Sequence, residues 1–96
     1  MGIDVIASVK TKKGHAADAK PLLIILVNEA RKEKTCQGYD VFQSKDDENL
    51  FIIHEQWPGE IAQCNHMQEK YVQDFIKDVE PFLTEDIALY RTEKIV

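Results

Sequence analysis

Two cysteines, no long apolar run and no cluster of basic residues limit what this 96-residue chain can be. Cys36 and Cys64 are too few for a disulfide framework and read as reduced, intracellular thiols. No apolar stretch approaches the roughly 18–20 residues of a membrane span. Strand-like sequence begins at Ile3 with no apolar leader, so a cytoplasmic protein is expected. Lys and Arg number 12 against 17 Asp and Glu, and they are scattered. A nucleic-acid groove or an anionic membrane surface calls for clustered cations, so neither partner is expected at a net charge of −5. The four glycines form no phosphate-binding loop or dinucleotide fingerprint, and there is no nucleophile elbow. His15, His54 and His66 lack ligand spacing, so no metal is expected.

Residues 1–96 have room for one domain. At this length a lone domain buries only about 60–65% of its unfolded surface, and self-association is a common remedy.

The run Ile3–Lys10 alternates, with Val5, Ala7 and Val9 on one face. Thr11–Gly14 is a turn. A helix follows from His15 to Lys34, its stripe made of Ala16, Ala19, Leu23, Leu26, Val27 and Ala30. Leu22, Ile24 and Ile25 widen the stripe, which fits either deep burial in the chain's own core or a partner on its flank. Arg31, Lys32 and Lys34 suit the negative end of its dipole. Pro21 implies a late helix start or a kink.

Tyr39–Ser44 and Leu50–Trp57 are strands around the polar turn Lys45–Asn49. In the second, Phe51, Ile53, Glu55 and Trp57 share one face and Leu50, Ile52, His54 and Gln56 the other. Both faces carry apolar groups; helices cover one, and a second copy of the sheet is the economical cover for the other. Helices over Glu60–Glu69 and Tyr71–Phe82 precede a last strand, Ile87–Lys94. The second of these helices carries the stripe Val72, Phe75, Ile76, Val79 and Leu83. The order βαββαβ predicts an α+β, ferredoxin-like antiparallel sheet, paired with a copy of itself into a dimeric barrel.

Chemistry falls on the helix-facing side of the third strand. Glu55 there is either a strand-end carboxylate reaching solvent or a backbone donor, or a pocket wall beside Trp57. His66 follows closely in sequence and is either an idle helix histidine or a proton acceptor over the same pocket. Tyr71 adds an aromatic wall, and Phe75 is either a second wall or plain core.

These runs resemble the antibiotic biosynthesis monooxygenase (ABM) family. Val5-Ile6-Ala7-Ser8-Val9-Lys10 with Lys13-Gly14 is similar to its opening strand and turn. Cys36 and Tyr39 match its Gly-Cys-x-x-Tyr, with Thr35 for the glycine. Phe51 to Trp57 fits Phe-x-x-x-Glu-x-Trp, and Val79 to Leu83 resembles Leu-x-Pro-Leu-Leu. His66 to Phe75 resembles His-x-x-x-x-His-Phe-x-x-Phe, with Tyr71 at the second histidine and Val72 at the first Phe.

The resemblance implies a homodimer with a pocket between sheet and helices in each subunit. It also implies one of three activities: cofactor-independent oxidation of phenols and quinols, haem degradation, or isomerisation of a phosphorylated sugar. Haem-degrading members use an Asn and a His where this chain has Ala7 and Ile76. Isomerisation calls for a pocket cation, for which Lys10, Lys70 and Arg91 are the candidates. The favoured expectation is a monooxygenase using O₂ on a small phenol or quinol, with no cofactor. In it His66 takes a proton, and Glu55 or Tyr71 holds a substrate oxygen. Trp57, Phe75, Val5 and Val9 enclose the substrate. The alternative is a dimer of the same fold that binds a small molecule without turnover.

Overall fold

A computed structural model of the chain describes residues 2–96. Alternation along the sequence becomes a four-stranded sheet. β1 (Ile3–Lys10) buries Ile3, Val5, Ala7 and Val9 and leaves the residues between them partly covered or exposed. β3 (Leu50–Trp57) pairs antiparallel with β1, placing Val5 opposite Glu55 and Ala7 opposite Ile53. β2 (Gly38–Gln43) pairs with β3, and β4 (Ala88–Thr92) pairs with β1. The spatial order β2-β3-β1-β4, with all pairs antiparallel, is the ferredoxin-like arrangement. Because paired residues share a face, the register lines up Tyr39, Glu55 and Val5 in one row. Val41, Ile53, Ala7 and Leu89 form the next row.

Three helices complete the fold: α1 (Ala16–Ala30), α2 (Glu60–Gln68) and α3 (Lys70–Val79). Ala19, Leu23, Leu26 and Ala30 of α1 and Val72, Phe75 and Val79 of α3 join the buried sheet face in one core. Gly14, at φ 85°, supplies the left-handed turn between β1 and α1.

Helix ends depart from the sequence reading. α1 stops at Ala30, so the basic residues expected in its last turn lie beyond it. Arg31 instead donates to the Tyr39 carbonyl and the Asp40 carboxylate of β2, at 3.0 and 2.9 Å. Pro21 lies inside α1, five positions past its start, which removes the late-start alternative. Pro21 and Ala17 are both exposed, so water can take the place of the hydrogen bond that proline cannot donate. α3 gives way at Val79 to a 3₁₀ turn, Glu80–Phe82. Pro81 disfavours continuation there, because it has no N–H to extend the α-helical hydrogen-bond ladder and its ring crowds the preceding turn. The widened stripe of α1 is not deeply buried in the chain's own core: Ile24 is 59% and Ile25 57% exposed.

The far face of the sheet has no cover from this chain. Ile6, Leu50 and Ile52 are half-buried there, and Phe42 and Tyr90 are exposed. His54 on this face pairs with Asp4 at 2.8 Å. No described helix is long and apolar enough to cross a membrane.

Core and surface positions should separate in urea unfolding. Leu26→Ala, at a site 2% exposed, is expected to cost about 2–5 kcal/mol through lost burial and a residual cavity. Ile61→Ala, at a site 81% exposed, should change stability by about 0.5 kcal/mol or less.

Candidate functional site

A cavity of about 290 Å³ lies between the sheet and the helices. Its floor is the sheet row Ile53, Ala7 and Leu89, and its walls include Leu26, Val72, Phe75 and Ile76. Ala7 is the small residue between Val5 and Val9 on that face, and its short side chain leaves room above the strand. Tyr39, Glu55 and His66 form the polar end, with the exposed Glu80 and Asp86 also lining the cavity.

The polar end is built by a short connection. β3 ends on Trp57, Pro58-Gly59 turns the chain, and α2 carries His66 back over the indole. The Trp57 and His66 ring centroids are 4.5 Å apart with planes inclined by 35°. The His66 side chain is only 1% exposed. On one side its Nδ1 is 2.7 Å from Oε2 of Glu33, in the loop after α1. The Tyr71 hydroxyl donates to the same Glu33 oxygen and lies 3.1 Å from Nδ1. On the other side Nε2 is 3.6 Å from Oε1 of Glu55. That carboxylate oxygen accepts the Trp57 indole N–H at 2.9 Å. Among the described residues no buried side-chain nitrogen or oxygen lacks a partner.

Burial disfavours the charged forms of these groups. It holds the Glu55 carboxyl above the usual carboxylate range, against the stabilising Trp57 N–H and the nearby His66. Burial also pushes the Tyr39 phenol far above its ordinary value, and the adjacent Glu55 charge adds to the effect. Tyr71 is raised by burial and by donating to Glu33. Both phenols are therefore hydroxyl donors near neutral pH. Burial likewise raises the Cys36 thiol, with Glu33 and Glu55 adding to the shift.

His66, Glu55 and Phe75 line the cavity. Tyr71 reaches the same cluster but turns its hydroxyl to Glu33 rather than into the cavity, so it does not hold a substrate oxygen in this arrangement. Trp57, Val5 and Val9 are fully buried and stand behind the lining instead of forming it. Strand parity put them on the right face, but the open space lies over Ala7. Glu55 is not a strand-end carboxylate reaching solvent; its indole partner lies two residues along the same strand.

Glu33 was missed. In sequence it sits in the charged run Arg31–Lys34, where it reads as a solvated helix end. The one available signal is indirect, since a buried histidine needs a partner.

The three histidines lie apart: His15 pairs with Asp18 near the start of α1, His54 sits on the far sheet face, and His66 is buried. Ala7 and Ile76, at the haem-associated positions, give the cavity only hydrocarbon, with no atom to bind iron or orient a porphyrin.

Residues 3–78 match the family described as antibiotic biosynthesis monooxygenase. The chain is 31% identical over 68 residues to "Putative monooxygenase YcnE" of Bacillus subtilis, covering 71% of this chain and 72% of that protein. PA3566 from Pseudomonas aeruginosa superposes with a TM-score of 0.91 at 26% identity, covering 99% of this chain and 95% of that one. Rv0793 from Mycobacterium tuberculosis superposes with a TM-score of 0.92 at 21% identity, covering 100% and 97%.

The environment of Glu55 has a signature in stability against pH. A carboxyl whose folded pKa lies above its ordinary 4.5 contributes stability that is present below that value. The contribution is lost as pH rises through the folded pKa. Glu55→Gln removes the ionisation, so relative to wild type the variant should gain stability as pH rises from 4.5 toward neutrality. Urea titrations across this window check it; a difference independent of pH would contradict the assigned environment.

Proposed function

The chain belongs to the antibiotic biosynthesis monooxygenase family, and on that premise we propose that it oxidises a small, uncharged phenol or hydroquinone with O₂ beside His66. The observation that carries this reading is a buried imidazole in the wall of an apolar cavity large enough for one substituted ring. The volume of about 290 Å³ compares with a cavity of roughly 150 Å³ that binds benzene. It falls at the low end of ligand pockets, about 300–1,000 Å³. A single ring fits that size better than a polycycle.

His66 takes the phenolic proton, and the resulting phenolate is electron-rich enough to reduce O₂ without metal or flavin. Oxygen then bonds to the ring. Cleavage of the O–O bond leaves one oxygen atom on the product and releases the other as water, with protons returned from His66 and the substrate. For hydroquinone the balance is hydroquinone plus O₂ giving hydroxyquinone plus water. Glu55, in the cavity wall beside Nε2 of His66, holds a substrate hydroxyl. Phe75 shields the ring from water, and Val5 and Val9 close the floor from behind.

The charged residues lining the cavity are all acidic: Glu55, Glu80 and Asp86. This arrangement opposes an anionic substrate and gives the phosphorylated-sugar reading no support. Lys10 is exposed at the end of β1, Lys70 pairs with Asp74 and Arg91 with Glu60, all away from the lining. Binding without turnover is the second reading. It is favoured by Glu55 standing 3.6 Å from Nε2, on the side a substrate hydroxyl must reach.

We further take the working form to be a homodimer, because Ile6, Ile52 and Phe42 leave the far sheet face without apolar cover. The free thiols Cys36 and Cys64 suit a reducing cytoplasm.

Oxygen consumption on a hydroquinone panel tests the activity. Uncharged hydroquinones should be consumed, carboxylated ones more slowly, and His66→Ala should reduce the rate by about 10²–10⁴. Failure of every quinol, or a variant equal to wild type, would remove the enzyme reading; tight binding without oxygen uptake would support the second. In sedimentation the wild type should be a dimer, and Ile52→Asp should weaken it toward monomer.

A further inference from the structure

Each ring nitrogen of a neutral histidine has one role, donor or acceptor, and the partner of one nitrogen decides the role of the other. At His66 the two partners are not equivalent. Nδ1 is 2.7 Å from Glu33 Oε2, within hydrogen-bond distance. Nε2 is 3.6 Å from Glu55 Oε1, outside it. An ionised carboxylate only accepts, so the bond to Glu33 requires the proton on Nδ1. The Tyr71 hydroxyl spends its own proton on the same Glu33 oxygen and does not compete for the Nδ1 lone-pair position.

The loop makes this partner rigid. The Glu33 N–H donates to the Ala30 carbonyl, and its own carbonyl accepts the N–H of Cys36, both at 3.1 Å. The backbone of Glu33 is thus held on both sides in a tight turn. Its side chain, 18% exposed against 1% for His66, closes the buried cluster toward solvent.

We propose that Glu33 is a positioning residue that holds His66 in the Nδ1–H tautomer and leaves Nε2, on the Glu55 side, as the proton acceptor. The assignment deepens the reading of His66 as a base and rests on it for its catalytic meaning. The tautomer itself belongs to the resting protein and is measurable without any substrate.

Long-range ¹H–¹⁵N correlation spectra of ¹⁵N-labelled protein, recorded where His66 is neutral, test the assignment. Wild type should show a protonated Nδ1 and an unprotonated Nε2. Glu33→Gln should keep this pattern, because the amide oxygen still accepts from Nδ1–H. Glu33→Ala should shift His66 toward the Nε2–H form, which free histidine prefers. On a hydroquinone that wild type turns over, Glu33→Ala should lower kcat by roughly tenfold or more with KM little changed. That is part of the ~10²–10⁴ contributed by general-base catalysis, and Glu33→Gln should recover part of it. A wild-type spectrum in the Nε2–H form would overturn the proposal, as would an unchanged tautomer in Glu33→Ala. The wild-type and Gln spectra decide the matter even if Glu33→Ala does not fold. An Nδ1–H tautomer in a protein that oxidises no quinol would leave this assignment standing and remove the catalytic reading alone.

Discussion

His66 sits against Trp57 with a carboxylate on either side, and the architecture around it serves to make that arrangement tolerable. Burying an imidazole and two carboxyl groups is costly unless each polar atom has a partner. Here Glu33 meets Nδ1, Tyr71 donates to Glu33, and Trp57 donates to Glu55. These contacts come from four separate parts of the chain: the loop after α1, β3, α2 and α3. The register of β3 places Glu55 beside Trp57, and the Pro58-Gly59 turn lets α2 start close enough to lay His66 on the indole. Such a cluster is weak grounds for stability, because well-packed apolar groups do as well or better in its place. Its place in the wall of an apolar cavity is the ground for the functional reading proposed above.

How much of this was legible depended on how local the cause was. Strands β1 and β3 were readable to their ends, because alternation of apolar residues is written residue by residue along Ile3–Lys10 and Leu50–Trp57. The helix ends were harder. α1 stops at Ala30 although the polar sequence after it remains helix-compatible, and Pro21 is accommodated on an exposed side that periodicity cannot identify. Parity separated the two faces of β3 but gave no depth, so Val5 and Val9 were placed on the substrate side when Ala7 is where the space opens. Glu33 was beyond reach, since its bonds to His66 and Tyr71 span 33 and 38 residues.

The two faces of the sheet divide the molecule's work. The face under the helices carries the cavity and the polar cluster, while the other exposes Phe42 and Tyr90 and only half covers Ile6 and Ile52. A second copy stacked on that face would finish the core without entering the cavity. The acidic lining and a volume fit for one ring agree with the small, uncharged substrate proposed above.

The most direct measurement is the fate of isotopic oxygen. Incubation of the protein with an uncharged hydroquinone under ¹⁸O₂, followed by mass spectrometry of the product, should show one ¹⁸O atom in the hydroxyquinone. The second atom should appear in water. A product whose new oxygen comes from water, or recovery of unchanged hydroquinone from the whole uncharged panel, would contradict the account.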